Sequence, residues 1–439
     1  MLGVALLKQW VCRIQLHTIR IIYNTPLGLG SSYLVIHLFP FRYYSCMIDP
    51  YKKYGLRRVV NAAACLTRLG GSKPSERVLK AMEEASGAFI DIPSLQTYAG
   101  GIIAEATGAE AGLPTSGAVN SIVLAAAACI MRGTELENYE PLYPERWRKL
   151  AQRLPLHTDG LRTEFIVQKV KRYSYDFAVE CAGGRMVEVG SKEGTTILDL
   201  ESAYNSERTA AYYFTVHGSQ KGIPLEKMVE VAHRNGVPVI VDAAPDLRPK
   251  NIFRYYIDKG ADLVLFSGGK HLGGPNNSGI LAGRGDLIKL AHLQAYPFNG
   301  IGRQAKMSRE TIIGLVEAIK QYLERDDEAM FKLYQDRARK IAEHVGLLPG
   351  VESGLAYEYT SSTGELMTPF TYVKLSETAG MTLRELHGKL LENDPPIETL
   401  YPAFLIQNPL KYLTINPEYL LDGDDKIVVD RMREIFETR

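Results

Sequence analysis

The chain has 439 residues, 46% of them hydrophobic and 23% charged, with a formal net charge of +1. That composition belongs to an ordinary globular protein, long enough for a large core and a second, smaller domain. A pI near 7.6 without a dominant basic stripe argues against extended nucleic-acid binding, and a small molecule is the expected ligand. Residues 1–46 stand apart. They carry Lys8, Arg13, Arg20 and Arg42 with no acid and are expected to lie outside the fold. Basic, acid-poor composition suits a targeting peptide, but a start assigned too early reads the same way. Met47 opens the more ordinary MIDPYKKYGL. No run reaches the roughly 18 apolar residues that a membrane span needs.

From about Tyr54, helix-like and strand-like segments alternate. KPSERVLKAMEEAS and GIIAEATG read as helices. Pro114 to Gly133 opens with a turn of small residues and runs into a long apolar helix. EFIVQKV, MVEVG and AYYFTVHG read as strands, LEKMVEVAHRNG as a helix, and VPVIVDAA, ADLVLFSGG and SGILAGR as further buried strands. Strands apolar on both faces, alternating with helices, indicate a parallel α/β sheet covered on both sides. The helical stretch from Ser308 to Ala342 is expected to lead away from it. FTYVKLS, LRELHGKLLE, KYLTINP and DKIVVDRMREIF then read as a small α+β domain. The expected division is a large α/β domain over 47–310, with a connecting helix and small domain over 311–439. The five cysteines, Cys12, Cys46, Cys65, Cys129 and Cys181, are scattered and lack ligand spacing. They argue for a reducing, cytoplasmic setting without a disulfide framework or a metal site.

Three stations carry chemistry. Thr115-Ser116-Gly117-Ala118 precedes a helix, and helix N-termini bind anions, although an ordinary N-cap has the same appearance. Asp242 ends the strand VPVIVDAA, where open α/β sheets bind ligands. Lys270 follows the strand ADLVLF within FSGGKHLGGPNNSG, and its glycines are read as clearing space around the amine. A Walker loop is excluded, because Val264 stands six positions before the lysine and His271 follows it. A phosphate cup before a helix, an aspartate ending one strand and a lysine following the next suit pyridoxal 5′-phosphate. In that reading the lysine forms the Schiff base, the aspartate pairs with the ring nitrogen and the cup takes the phosphate.

Six stretches then carry a resemblance: VVNAAACLTRLGGS (59–72), TGAEAGLPTSGAVNS (107–121), QKVKRYSYDFAVECAGGRMVEVG (168–190), VAHRNGVPVIVDAAPDLRP (231–249), LVLFSGGKHLGGPNNSGILAGR (263–284) and IGRQAKMSRETIIGL (301–315). From about Tyr54 onward the chain resembles the fold-type I pyridoxal-phosphate enzymes related to L-seryl-tRNA(Sec) selenium transferase, particularly the tRNA-independent branch with D-glucosaminate-6-phosphate ammonia-lyase. The resemblance implies an aspartate-aminotransferase-like large domain. It implies Lys270 as the Schiff-base lysine and Asp242 as the partner of the pyridine nitrogen. Ser116, Gly117 and Ala118 form its phosphate cup, with Ser267 adding a hydroxyl. Arg303 and Lys306 match the basic pair of the family's GRxxK segment, and Arg68 is a third candidate for substrate binding.

Many relatives carry histidine where this chain has Lys171 and Phe177, so the chemistry around those positions is left open. Arg172, Tyr173, Tyr175 and His271 are candidates for lining the site, with packing the commoner role for the tyrosines. The family's tRNA-dependent members carry an N-terminal domain that residues 1–46 do not resemble, so tRNA is not the expected partner. The expected activity is β-elimination or β-replacement on an amino acid or amino-sugar acid, by at least a homodimer. A tRNA-dependent selenium transferase and a pyridoxal-phosphate aldolase, racemase or aminotransferase are the alternatives, and fold alone does not separate them.

Overall fold

The computed structural model describes residues 49–216, 221–360, 362–402 and 411–437; the expected extension over 1–46 lies outside them. The chain divides into two units, residues 1–56 and 57–439. In the first, Lys52–Tyr54 forms one 3-10 turn that Gly55 closes in the left-handed conformation.

In the second unit, strand β1 (Val60–Ala62) passes over its sequence neighbours and pairs in parallel with Ile397–Thr399. A seven-stranded sheet follows. Its strands are β2 (Ala111–Thr115), β3 (Glu164–Gln168), β4 (Arg185–Val189), β5 (Thr209–Thr215), β6 (Val239–Asp242), β7 (Leu263–Ser267) and β8 (Gly279–Gly283), in the order β2-β8-β7-β6-β5-β3-β4. Strands β7, β6, β5, β3 and β4 run parallel, while β8 is antiparallel to both β7 and β2.

The apolar runs bury both faces with the two-residue period of a strand. Ile166, Tyr212, Phe214, Val239, Val241, Val264 and Phe266 enter one core. Phe165, Val167, Ala211, Tyr213, Ile240, Leu263 and Leu265 enter the other. The helix Ala118–Met131 lies in the second core, buried from Leu124 to Met131. The helix Ile92–Thr107 covers the first, capped by Asp91 accepting from the Ser94 amide and ended by left-handed Gly108.

The small domain has β9 (Val351–Tyr359), β10 (Leu366–Leu375), β11 (Ile397–Thr399) and β12 (Leu413–Ile415), with β10 antiparallel to both β9 and β12. Its core gathers Ile341, Val345, Leu386, Leu390, Val428 and Met432 together with Val60 and Ala62 of β1.

The helical stretch expected to lead away from the sheet is two helices. Arg309–Glu324 sends Ile312, Leu315, Ile319 and Tyr322 into the first large core. Asp327–Val345 starts the small domain with Ile341 and Val345. The first of them, the expected connecting helix, thus packs on the large core, while β1 contributes Val60 and Ala62 to the small-domain cluster. The reason is the apolar stripe at 312, 315, 316 and 319, a full helical face that needs the sheet to cover it. No helix among the described residues is long and apolar enough to cross a membrane.

Candidate active site

Strand register assembles the site at one sheet edge. Thr115 and Ser267 both pair with Gly279, Asp242 pairs with Leu265, and Thr215 pairs with Asp242. The carboxyl ends of β2, β5, β6 and β7 therefore meet where ligands of open α/β sheets bind.

Gly117 takes φ +140°, and a Cβ there would meet nothing within 4 Å. It leads into the helix Ala118–Met131 without a side-chain cap. The first carbonyl bond inside this helix runs from the Ser121 amide to the Gly117 oxygen at 3.0 Å, so the amides before it point outward, as a phosphate requires. Beneath them, Thr115 Oγ1 and Ser121 Oγ share a hydrogen bond of 2.6 Å, and Ser121 donates to the Ile280 carbonyl at 3.3 Å. Ser116 is half-buried in the same turn, and Ser267 is half-buried at the end of β7.

Asp242 is 2% exposed. Its Oδ1 accepts from the Ala244 amide at 3.1 Å and its Oδ2 from the Tyr213 hydroxyl at 3.3 Å. Burial pushes this carboxyl up, opposed by the Ala244 amide and by the charge of Lys270. Lys270 and Asp242 are thus electrostatic neighbours. Burial also drives the Tyr213 hydroxyl well above its usual range, so it stays a donor.

The glycines around Lys270 serve a purpose other than the one expected. A Cβ on Gly268 would strike Ser278, one on Gly269 would lie 2.6 Å from the Asn276 Cα, and one on Gly71 would strike the Gly269 carbonyl. They let two loops close on the lysine turn, which is held by Ser72 N–H to Gly269 O at 2.8 Å and Gly268 N–H to Ser278 O at 2.9 Å. Gly273, at φ +76°, is the one of this run that faces open space.

Lys270 lines a cavity of about 520 Å³ together with Ser72, Lys73, Arg248, His271 and Glu418. Here the structure gives His271 partners that the sequence did not single out, Glu418 and Arg248. Glu418 Oε1 accepts from Arg248 at 2.5 Å and lies 3.1 Å from His271 Nδ1. On the other side of the ring, Cys65 Sγ is 3.9 Å from Nε2. Burial opposes the charged imidazole, but the Glu418 carboxylate outweighs it and raises His271 to about 9. Burial likewise opposes the carboxylate, and Arg248 and His271 overcome it, holding Glu418 at about 2. A second unforeseen acid, Asp176, accepts from Arg172 Nε at 2.6 Å and from the Tyr173 amide at 2.9 Å, with burial raising its carboxyl. Tyr173 and Tyr175 pack ring against ring at 5.3 Å.

The three candidate substrate cations have contacts of their own. Arg303 stacks on the Tyr296 ring at 5.1 Å, and Lys306 is exposed in the same segment. The described lining of the Lys270 cavity includes neither of them, nor Asp242 and the Gly117 cup. Arg68 pairs with Glu398 at 2.7 Å. Phe177 is half-exposed and Lys171 is buried.

The cradle fits pyridoxal 5′-phosphate. It offers an open glycine before unpaired helix amides, a buried carboxylate fed by a hydroxyl donor, and an amine close enough to sense that carboxylate.

A profile of the L-seryl-tRNA selenium transferase family matches residues 177–345. A Streptomyces protein named 5′-C-glycyluridine monooxygenase-decarboxylase is 34% identical over 396 residues, covering 88% of this chain and 92% of that one. D-glucosaminate-6-phosphate ammonia lyase of Salmonella typhimurium is 29% identical, covering 88% and 98%. The L-seryl-tRNA(Sec) selenium transferase of Aquifex aeolicus is 29% identical over about half of each chain, 49% and 52%. Among solved structures, D-glucosaminate-6-phosphate ammonia-lyase superposes with a TM-score of 0.75 at 28% identity, covering 88% of this chain and 98% of that one. Sphingomonas wittichii serine palmitoyltransferase, at 12% identity and a TM-score of 0.53 with 87% and 88% covered, shares the fold.

Proposed function

The chain belongs to the family of fold-type I pyridoxal-phosphate enzymes related to L-seryl-tRNA selenium transferase, and on that premise we propose that it catalyses β-elimination or β-replacement on a free amino acid or amino-sugar acid. The observation that carries this reading is the meeting of Lys270, Asp242 and the Gly117 cup at one sheet edge. The 29% relative named as an ammonia lyase matches across nearly its whole length, whereas the Aquifex aeolicus selenium transferase named for tRNA matches over about half. That contrast supports a substrate not attached to tRNA.

When bound, the cofactor withdraws electrons from Cα of the amino acid, which lets a group leave from Cβ. The rest is the work of this chain. The amides from Ala118 onward, with Ser116 and Ser267, would hold the phosphate. Asp242 would keep a proton on the ring nitrogen. Burial raises its carboxyl in the protein alone, and a ring N–H⁺ supplies the counter-charge that favours the carboxylate. Lys270 Nζ would hold the cofactor and then carry a proton away from Cα. His271, charged beside Glu418, would donate from Nδ1 to that carboxylate and serve the cavity as a fixed positive charge rather than as a base.

We further propose a homodimer in which Arg303 and Lys306 serve the neighbouring protomer's site. The three described cysteines are free, which supports a cytoplasmic setting.

Borohydride reduction of the purified protein should fix the cofactor to the peptide holding Lys270. A panel of amino acids and amino-sugar acids should include members that shift the cofactor's visible absorbance and release a keto acid. Labelling at another lysine, or a panel of β-substituted acids that leaves the spectrum unmoved, would overturn the assignment.

The 34% relative favours a second reading, oxygen-dependent decarboxylation of an amino acid. Oxygen consumption and carbon dioxide release with the same panel, in place of keto acid and ammonia, would select it.

A further inference from the structure

A second cavity, of about 320 Å³, opens at the carboxyl edge of β3 and β5. It lies on the opposite face from Asp242. Gln168, Phe214 and Val216 fall in register with the first core, whereas Tyr213, Ile240 and Asp242 fall in register with the second. Its described walls include Lys171, Phe214, Gly222, Leu225, Tyr255 and Ser362.

Lys171 is 6% exposed. Its Nζ lies 5.4 Å from the centre of the Phe214 ring, and no carboxylate among the described residues pairs with it. Burial alone therefore pushes its amine below the usual value. The walls are fixed in place. Gln168 Nε2 donates to the Ile223 carbonyl at 2.9 Å, and the Ile223 amide donates back to Gln168 Oε1 at 2.5 Å. Gly222 permits this closure, since a Cβ there would lie 2.8 Å from Gln168 Oε1 and 3.3 Å from Lys171 Cε. The ten-residue helix Leu225–Arg234 starts at the wall, behind Pro224, and its first amides add positive potential. Glu226, the acid on this wall, is engaged by Lys259 at 2.9 Å. The Ser362 and Tyr256 hydroxyls are both held by Asp246.

An ammonium taken out of water without a counter-charge is unfavourable unless an anion meets it. A chain that keeps one against a cavity is prepared for a ligand that brings the negative charge. We propose that this cavity is an anion-binding site in which Lys171 holds the carboxylate or phosphate of a small ligand. Two sources share that chemistry: a remote acidic group of the enzyme's own substrate, and a separate small acid.

The test uses the cofactor-loaded protein, whose Gly117 cup is already filled, titrated calorimetrically with succinate and with inorganic phosphate. Lys171→Met keeps the alkyl packing on Phe214 and removes the charge. It should weaken binding of the better probe at least about tenfold, the scale of a hydrogen bond to a charged group, while Lys171→Arg restores it. Without anion, Lys171→Met should melt no lower than the native chain, because it removes a buried unpaired charge. The probe should raise the melting temperature of the native chain and not that of Lys171→Met. Undiminished affinity in Lys171→Met, or a large anion-independent loss of stability in it, would overturn the site and leave the amine a packing element. Competition between probe and amino-acid substrate would assign the site to the substrate's own acid. Additive binding would assign it to a separate ligand.

Discussion

Replacing Gly279 with alanine puts one methyl group at the tightest point of the phosphate cup. The new carbon would stand 2.6 Å from the Gly117 carbonyl carbon, 2.7 Å from Thr115 Oγ1 and 2.9 Å from the Ala118 nitrogen. Carbon contacts are at rest near 3.5–4.0 Å, so the cup must retreat by about 1 Å. Two of the three atoms are backbone and have no rotamer to change. Residue 279 cannot retreat instead, because it pairs with Thr115 on one side and Ser267 on the other. Overpacking of this kind costs about 1–3 kcal/mol, which at 1.4 kcal/mol per tenfold weakens cofactor affinity by about 5- to 150-fold. Titrating pyridoxal 5′-phosphate into cofactor-free protein and following its visible absorbance measures the loss. Gly101→Ala is the matched control. A Cβ there meets nothing within 4 Å, and within the helix Ile92–Thr107 the change should stabilise by roughly 0.5–1 kcal/mol without altering affinity. Affinity in Gly279→Ala within twofold of the native value would refute the placement of the phosphate at this cup.

Asp242→Asn keeps the hydrogen bond from the Ala244 amide and removes the charge. Cofactor should remain bound while turnover falls on the order of 100- to 1000-fold, the effect of losing one preorganised electrostatic contact; unchanged kcat would remove Asp242 from the mechanism. Glu418→Gln leaves Arg248 and the His271 ring without their counter-charge and should cost about 3–5 kcal/mol by denaturant titration. In the native chain, the His271 contribution is complete below its ordinary value of 6.5 and is lost as pH rises through about 9. That of Glu418 is complete above its ordinary value of 4.5 and is lost as pH falls toward about 2. Stability should therefore plateau between those ordinary values, and Glu418→Gln should pull the alkaline limb to lower pH; an alkaline limb unmoved by this change would show the pair to be uncoupled. Arg303→Ala should raise KM by about 10- to 150-fold, from roughly 1.5–3 kcal/mol for a charged hydrogen bond, with the cofactor spectrum intact and the sedimentation behaviour of the native chain unchanged.

The sheet was legible because its strands are buried on both faces, so VPVIVDAA and ADLVLFSGG are nearly continuous apolar runs bounded by glycine. Lys270 and Asp242 could be singled out because each stands at the end of such a run, where a charged side chain has no packing reason to be. What escaped notice depends on residues far apart in sequence. Glu418 is 147 positions from His271, and nothing local in INPEY announces a buried carboxylate. Tyr213 sits inside a strand of aromatics that reads as packing. Arg68 reads as a free cation until β11 arrives beside β1 and brings Glu398. The glycines near Lys270 were visible, but not the loops they admit, because close approach of backbone to backbone leaves no mark in composition. The helix Arg309–Glu324 carried its apolar stripe in plain view; its partner surface did not.

The pairing of β1 with β11 has a consequence for how the protein is made. Val60 leaves the ribosome early, but its partner Ile397 is synthesised 337 residues later. At about 5–20 residues per second the delay is roughly 17–67 s. Throughout it, a fully apolar-faced strand has no ladder and no core to enter, since the cluster around Val60 and Ala62 is built from Ile341 onward. The segment immediately after it is meanwhile called to the lysine turn, where Ser72 bonds Gly269. A chain cut short before residue 397 would thus hold its seven-stranded sheet and Lys270 while trailing an unpaired, sticky end. Such fragments belong to the nascent-chain chaperones and proteases rather than to catalysis.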